Sequence, residues 1–421
     1  MRGWVERAVG GGSVAQILRW TVMVAPLGML AGSASALFLW ALQRVTEVRV
    51  GAEWLLYGLP VGGMVVGWVY ERWGGRAGGG SNLIVEEIHE PGGGVPARMA
   101  PLVLVGTLVT HLFGGSAGRE GTAVQMGGSL AGAMGRWMRV GAGSQRILLL
   151  AGVAAGFGSV FGTPLAGAVF AMEVLVVGRL QYDALIPVLV AGVIGDMTCS
   201  AWGIKHAAYG LTWVRTHGGL QLEWALLLKA VVAGVIFGWV GVLFTSLTHS
   251  VQGACKRWIG VPYLRPVAGG IGVIVLTWLV GRRDYLGLGV DSAVAGTVTI
   301  LSAFQSGGAE PLSWLWKLVF TAVTVGSGFK GGEVTPLFFI GATLGHVVGV
   351  ALGAPVDLFA GLGFLAVFAS AANTPLACTL MGVELFGGGP VLYFGVACFV
   401  AYHCSGHAGI YTTQRVGVRK G

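Results

Sequence analysis

Gly118-Arg119-Glu120-Gly121-Thr122 sets two charges and two glycines inside sequence otherwise made for lipid, and Gly331-Gly332-Glu333-Val334-Thr335 echoes it about half the chain later. Each glutamate stands where hydrocarbon or a protein core normally excludes charge. A charge at mid-bilayer costs on the order of 3 kcal/mol even on lenient insertion scales, so such residues mark functional positions by default. Glycine permits a tight turn with exposed amides, and the residues from Ala123 onward are apolar and helix-compatible. The stretch therefore reads as a helix N-terminus buried in the membrane. Free N–H groups and the positive end of the helix dipole make such a terminus an anion site. The Glu120 carboxylate can fill that site, yield it to a competing anion, and swing away when protonated. One side chain would then be both gate and proton carrier. A capping glutamate in a first helical turn is the alternative reading; the apolar context favours the gate.

The rest of the chain fits that setting. Of 421 residues, 54% are hydrophobic and 10% charged, against about 25% charged in a soluble domain, and the mean hydropathy is +0.76. The deficit of charge persists along the whole length, so no appended soluble domain is expected. The first apolar run, Ile17 to Leu42, is too long for a signal peptide and reads as a first span. Net charge is +8, but no basic stretch is interleaved with aromatics, which argues against a nucleic-acid partner. Lys and Arg instead collect between apolar runs, at Arg136, Arg139 and Arg146, at Lys256 and Arg257, at Arg282 and Arg283, and at Arg415, Arg419 and Lys420. Cytoplasmic loops are enriched in this way. With Arg2 and Arg7 at the other end, a multi-pass protein of the cell (inner) membrane with both termini cytoplasmic is expected. The five cysteines are odd in number and lack metal spacing, so free thiols are expected.

Many apolar runs are shorter than the ~20 residues a straight span needs, and 75 glycines interrupt them. Helices that stop partway across a membrane are tolerated where they line a site or cavity. Gly341, Gly345, Gly349 and Gly353 form one small-residue stripe, and Gly128 and Gly132 a shorter one, as close helix packing requires. An internal repeat organises the whole. Gly118-x-Glu120-x-Thr122 matches Gly331-x-Glu333-x-Thr335 at an offset of 213, which also pairs Gly128 with Gly341 and Gly132 with Gly345. Thr163-Pro164-Leu165-Ala166 matches Thr374-Pro375-Leu376-Ala377 at an offset of 211, each followed by a glutamate, Glu173 and Glu384. The chain therefore reads as two related halves, 1–210 and 211–421, parallel or inverted, meeting around a mid-membrane site.

At these residues the sequence resembles the CLC family of anion channels and proton-coupled antiporters. Gly118 to Thr122 resembles the family's GREGP gate, Gly332 to Pro336 its GxFxP segment, the Thr-Pro-Leu-Ala pairs its Pro-Leu-Ala segments, and Gly80-Ser81-Asn82-Leu83-Ile84 falls where the family has its GSGIP turn. The resemblance covers essentially the whole chain, in family order. Thr122 replaces proline, Val334 replaces phenylalanine with Glu333 before it, and Ser-Asn-Leu-Ile replaces Ser-Gly-Ile-Pro. These departures resemble the fluoride–proton antiporter clade, often called CLC-F. The resemblance implies an all-α polytopic fold with inverted halves, fluoride export driven by inward protons, and a homodimer with one pathway per subunit. A chloride–proton exchanger or a passive anion channel of the same family is the alternative.

It also implies roles. Glu120 is the gate and proton carrier. Gly118, Arg119, Gly121, Ser81, Asn82, Val334, Thr335 and Tyr411 bind the anion, and Glu333 is a second proton- or fluoride-handling carboxylate. Chloride antiporters carry an inner proton-relay glutamate where this chain has Val174, which leaves Glu333 as the natural substitute; a plain helix cap is the other reading of Glu333. Fluoride is small and strongly hydrated, so its site must supply several good donors, and HF is a weak acid, so a protonated carboxyl can share its proton with fluoride. Among other signals, Gly326-x-Gly328-x-x-Gly331 fits a dinucleotide fingerprint but lacks a βαβ context. His403-Cys404-Ser405-Gly406-His407 is too small a cluster for a metal site. Glu86, Glu87 and Glu90 read as a solvated loop face, and Glu173 and Glu384 as structural, pairing with arginine or helix ends. With no HExxH or GxSxG sequence, an intramembrane enzyme is disfavoured, and no cofactor or metal is expected.

Overall fold

Helix length against bilayer thickness dictates the architecture. The computed structural model describes residues 14–213, 222–292 and 294–420; Arg2 and Arg7 lie outside them. The described chain is helical: α1 (Val14–Gly51), α2 (Leu59–Val69), α3 (Gly80–His89), α4 (Met99–Leu112), α5 (Glu120–Met138), α6 (Ala142–Phe161), α7 (Pro164–Glu173), α8 (Leu185–Ala201), α9 (Trp224–Trp258), α10 (Arg265–Val280), α11 (Ser313–Gly326), α12 (Val334–Ala351), α13 (Val356–Ala372), α14 (Pro375–Phe386) and α15 (Val391–Cys404). A parallel pair of short strands, Val176–Val177 with Arg415–Val416, ties the C-terminal segment to the end of α7. Six helical segments among the described residues are long and apolar enough to cross a membrane. Others are not. At 1.5 Å per residue, the 10 residues of α7 reach about 15 Å, half of a ~30 Å hydrocarbon core.

A half-length helix must end inside the protein with its terminal amides satisfied. Two such ends satisfy each other's needs across the molecule. Glu173, at the end of α7, accepts hydrogen bonds from the Leu376 and Ala377 amides at the start of α14, at 3.1 and 2.8 Å. Glu384, on α14, accepts from the Leu165 and Ala166 amides at the start of α7, at 2.9 and 2.8 Å. The glutamates are structural, as expected, and their partners are helix ends.

Helix pairs α5–α6 and α12–α13 pack through glycine onto backbone. A Cβ at Gly127 would collide with the Gly152 carbonyl, and one at Gly341 with the Gly363 carbonyl. Gly341, Gly345 and Gly349 all face α13, whereas Gly353 lies beyond the helix in open space. These contacts correct the register of the repeat. Gly341 corresponds to Gly127, and Gly345 to Ala131, which faces Gly152 as Gly345 faces Gly363. The offset in this region is 214, one more than the matched letters indicate. Gly128 packs instead against Ile84, and Gly132 against Val95. In glycine-rich sequence a one-residue slip preserves many identities; backbone contact does not tolerate it.

Two further readings are corrected. Glu87 is not on a solvated loop. It sits on α3, 3% exposed. Its carboxylate accepts from Arg76 Nη2 at 2.6 Å and from the Gly92 and Gly93 amides at 3.1 Å each. Arg282 and Arg283 do not share a membrane face with Lys256 and Arg257, because α10, a candidate span, separates the pairs. Arg282 is paired with Asp284 and Glu310, and Arg283 with Glu53 near the far end of α1. Arginines neutralised this way carry little topological weight.

Candidate functional site

Two helix N-termini meet at the charged turns. α5 begins at Glu120 with Arg119 as N-cap, and α12 begins at Val334 with Glu333 as N-cap. The turns are stitched back to back: Gly118 N donates to Gly332 O at 2.6 Å, and Gly332 N to Gly118 O at 2.8 Å. The turn before α5 is also braced from α11. Ser116 Oγ and Thr321 Oγ1 lie 2.9 Å apart, and Ser116 N donates to Thr324 Oγ1 at 3.2 Å. Thr122, in the place of proline, shares a 2.6 Å hydroxyl hydrogen bond with Thr107 on α4. The sequence reading did not pick out these bracing hydroxyls. Their only signal is the recurrence of threonine along apolar helices.

The Glu120 carboxylate, 1% exposed, fills the space between the two termini. Oε1 accepts from the Val334 amide at 2.6 Å, and Oε2 from the Thr335 hydroxyl at 2.7 Å and the Arg119 amide at 2.9 Å. Gly118 and Gly332 are glycines because a Cβ at either position would collide with this carboxylate. Two of the three donors to the Glu120 carboxylate therefore come from Val334 and Thr335, more than two hundred residues away in the chain. Gly118, Arg119, Glu120, Gly121, Val334 and Thr335 come together as the sequence predicts. Arg119 contributes its backbone amide, while its guanidinium lies over the Phe161 ring at 5.9 Å.

Glu333 stands beside this centre, not opposite Glu120 in mirror image. With the stitched glycines equivalent, Glu333 corresponds to Arg119, and Val334 to Glu120. As N-cap of α12 its side chain makes no capping hydrogen bond, which sets aside the plain cap reading. Its carboxylate is within electrostatic reach of Glu120.

Ser81 and Tyr411 meet at a second place, a narrow cavity whose walls include Val124, Phe170 and Val174. The Tyr411 ring stands edge-on to Phe170, with centroids 6.1 Å apart, within electrostatic reach of both Glu120 and Glu333. Ser81 Oγ accepts from Gln125 Nε2 at 3.4 Å. The Ser81–Asn82 segment belongs to the first turn of α3. Asn82 is bound by the C-terminal segment: Thr413 Oγ1 donates to its carbonyl at 3.1 Å and to its Oδ1 at 3.2 Å. Where chloride antiporters place the inner glutamate, Val174 is buried, and its carbonyl accepts from Gln414 Nε2 at 2.8 Å. His407 Nε2 accepts from the Lys420 amide, so the His403–His407 stretch serves the tail. The Gly326–Gly331 segment is the connection between α11 and α12.

Comparison with known proteins agrees with this geometry. Residues 62–406 match the voltage gated chloride channel family. The chain is 48% identical, over 96% of its length and 88% of the relative's, to a chloride/fluoride channel protein of Pseudomonas syringae pv. tomato. The crystal structure of a CLC-type fluoride/proton antiporter superposes with a TM-score of 0.90 at 34% identity, covering 97% of this chain and 100% of that one. A slow cyanobacterial chloride/proton antiporter, 23% identical, superposes at 0.75 over 92% and 94% and shares the fold. The buried Glu120 carboxylate between two helix ends and these matches have one conclusion: this protein belongs to the CLC family, the voltage gated chloride channel family, and has its all-α membrane fold.

Proposed function

We propose that this protein is a fluoride/proton antiporter that exports fluoride from the cytoplasm in exchange for inward protons. The observation that carries the reading is the Glu120 carboxylate seated on the Val334 amide and the Thr335 hydroxyl, with a second carboxylate, Glu333, alongside. These donors are what a small, strongly hydrated anion needs in place of water. Fluoride entering the site competes with the carboxylate for them. Protonation removes the carboxylate's charge and weakens its hold on charge-assisted hydrogen bonds, so the anion takes the seat as the proton takes the side chain. A protonated Glu333 can share its proton with fluoride, and chloride gains far less from such a partner. Ser81, Asn82 and Tyr411 form the anion's further contacts, beyond the gate.

The two halves, 1–210 and 211–421, act as the two walls of this path. The site is complete within one chain, in accord with one path per subunit of a homodimer. The protein sits in the inner membrane with both termini cytoplasmic. Arg136 and Arg139, for which no carboxylate partner is found among the described residues, support that orientation.

Fluoride and chloride uptake into proteoliposomes under an imposed pH gradient, with proton movement counted in parallel, tests the proposal. Proton flux coupled to fluoride is expected, and Glu120→Gln abolishes the coupling. Fluoride flux without protons would identify a passive channel, and equal coupling to chloride a chloride exchanger.

A further inference from the structure

Half of the buried side-chain polar atoms without a hydrogen-bond partner, among the described residues, converge on the end of α6. Five of ten belong there: Arg119 Nε, Thr163 Oγ1, Asp196 Oδ1 and both ring nitrogens of His206. Buried polar groups in native proteins are satisfied by protein or by ordered water, so such a concentration marks a place built to hold water or an ion. The residues form a row leading to the gate. Asp196, on α8, lies 3.8 Å from His206 Nε2, and their side chains are 23% and 18% exposed. The His206 ring lies against Gly162, where φ is +72° and a Cβ would come within 2.6 Å of the ring. The preceding residue, Phe161, carries the Arg119 guanidinium over its ring, and Arg119 is chain neighbour to Glu120. Arg119 acts electrostatically on His206, and the Val160 carbonyl also faces the imidazole. Asp196 in turn acts on Cys199 and Glu384. Thr163, fully buried, completes the row as the residue before α7.

We propose that Asp196, His206, Thr163 and Arg119 form a hydrated antechamber that passes protons from solvent to Glu120. It lies toward the membrane face opposite the Arg136–Arg139–Arg146 cluster. Asp196 and His206 exchange protons with solvent through their exposed edges. Water held among the four residues completes the path past Phe161 to the Glu120 carboxyl. Histidine suits this position because a neutral imidazole can take a proton at one ring nitrogen and release one from the other. Burial, with the Arg119 cation nearby, holds its pKa below the ordinary value, so that it hands a proton on and does not keep it. The Arg119 cation keeps the inner end of the row from retaining the proton, and the Asp196 carboxylate draws it to the outer end. These are positioning and relay residues, distinct from the carboxylate that binds and moves. The inference rests on the antiport reading of the gate.

The test is fluoride-coupled proton uptake into proteoliposomes across external pH, comparing wild type with Asp196→Asn, Asp196→Glu and His206→Gln. At about pH 7.5 the Asp196→Asn and His206→Gln variants should each lose about a hundredfold in coupled turnover, the low end of a positioned proton-transfer group's contribution. The deficit should close toward about pH 5, where bulk protons supply the gate directly, with the fluoride-to-proton ratio unchanged and Asp196→Glu retaining the wild-type profile. Should Asp196→Asn not fold, His206→Gln decides alone, since the imidazole has only loose polar neighbours to lose, Asp196 at 3.8 Å and the Val160 carbonyl. Parallel pH profiles overturn the antechamber. So does a raised fluoride KM with an unchanged pH profile, which would make the row an anion site. Absence of coupled protons in wild type would sink the antiport reading itself.

Discussion

A carboxylate held by three donors at a helix–helix junction is a poised competitor, and its strength sets how readily an anion replaces it. Thr335→Val removes one of the three hydrogen bonds to Glu120. A hydrogen bond to a charged group contributes about 2 kcal/mol, roughly thirtyfold in the balance between seated and displaced gate. The expected outcome is faster but looser transport, read as more fluoride moved per proton in proteoliposomes. Gly332→Ala acts sterically, since its Cβ would occupy the place of Glu120 Oε1; coupled proton flux should be lost while the protein still folds. Glu333→Gln should erode the preference for fluoride over chloride and the proton coupling. Intact fluoride turnover and coupling in that variant would remove Glu333 from the mechanism. Glu120 and Glu333 were legible as singular positions from residue type, because buried charge in an apolar chain needs a purpose; Val334 and Thr335 entered through the resemblance to the CLC family. The bracing of Ser116 by Thr321 and Thr324 was not legible, since a threonine in an apolar helix usually satisfies itself on its own backbone.

Short helices are stable here because each buried end finds a partner on a distant element. The Glu173 and Glu384 carboxylates exchange caps between α7 and α14. Glu173→Gln keeps the shape but removes the charge facing the α14 N-terminus and sets an NH2, which cannot accept, against one of the two amides, at a cost of about 2 kcal/mol. A lower thermal-unfolding midpoint in detergent, with the fluoride-to-proton ratio unchanged, is the expected result; a changed ratio would give Glu173 a transport role. The glycine contacts of α12 with α13 are stricter. Gly341→Ala forces a methyl into the Gly363 carbonyl, and overpacking of this kind costs about 1–3 kcal/mol. At this scale the sequence revealed that helices break and that small residues line their seams. It did not reveal the register of the seam, because glycines one position apart are interchangeable as letters and not as contacts.

Across the whole molecule, the C-terminal segment closes the assembly. Thr413 holds Asn82, Gln414 holds the carbonyls of Val174 and Ala372, and Arg415 pairs with Glu90. One stretch thus joins the Ser81–Asn82 turn, Val174 and the end of α13. Deleting residues 413–421 should release Asn82 and lower fluoride turnover with little effect on proton coupling at Glu120, as measured by fluoride-electrode efflux with proton uptake counted in parallel. Full turnover in the truncated chain would show that Asn82 needs no such support.

Sequence by itself determined the membrane setting, the family and the two glutamates set in apolar surroundings, because composition, short broken helices and residue identity are properties of residue type and order. Only the tertiary structure decided where the carboxylates stand relative to each other. The glycine stitch between residues 118 and 332 places Glu333 opposite Arg119 in the repeat, and hands the Glu120 carboxylate to the amide and hydroxyl of the other half. The physical reason is that a seat made from two helix ends exists only where those ends meet, and the meeting is made by backbone contacts between residues more than two hundred positions apart.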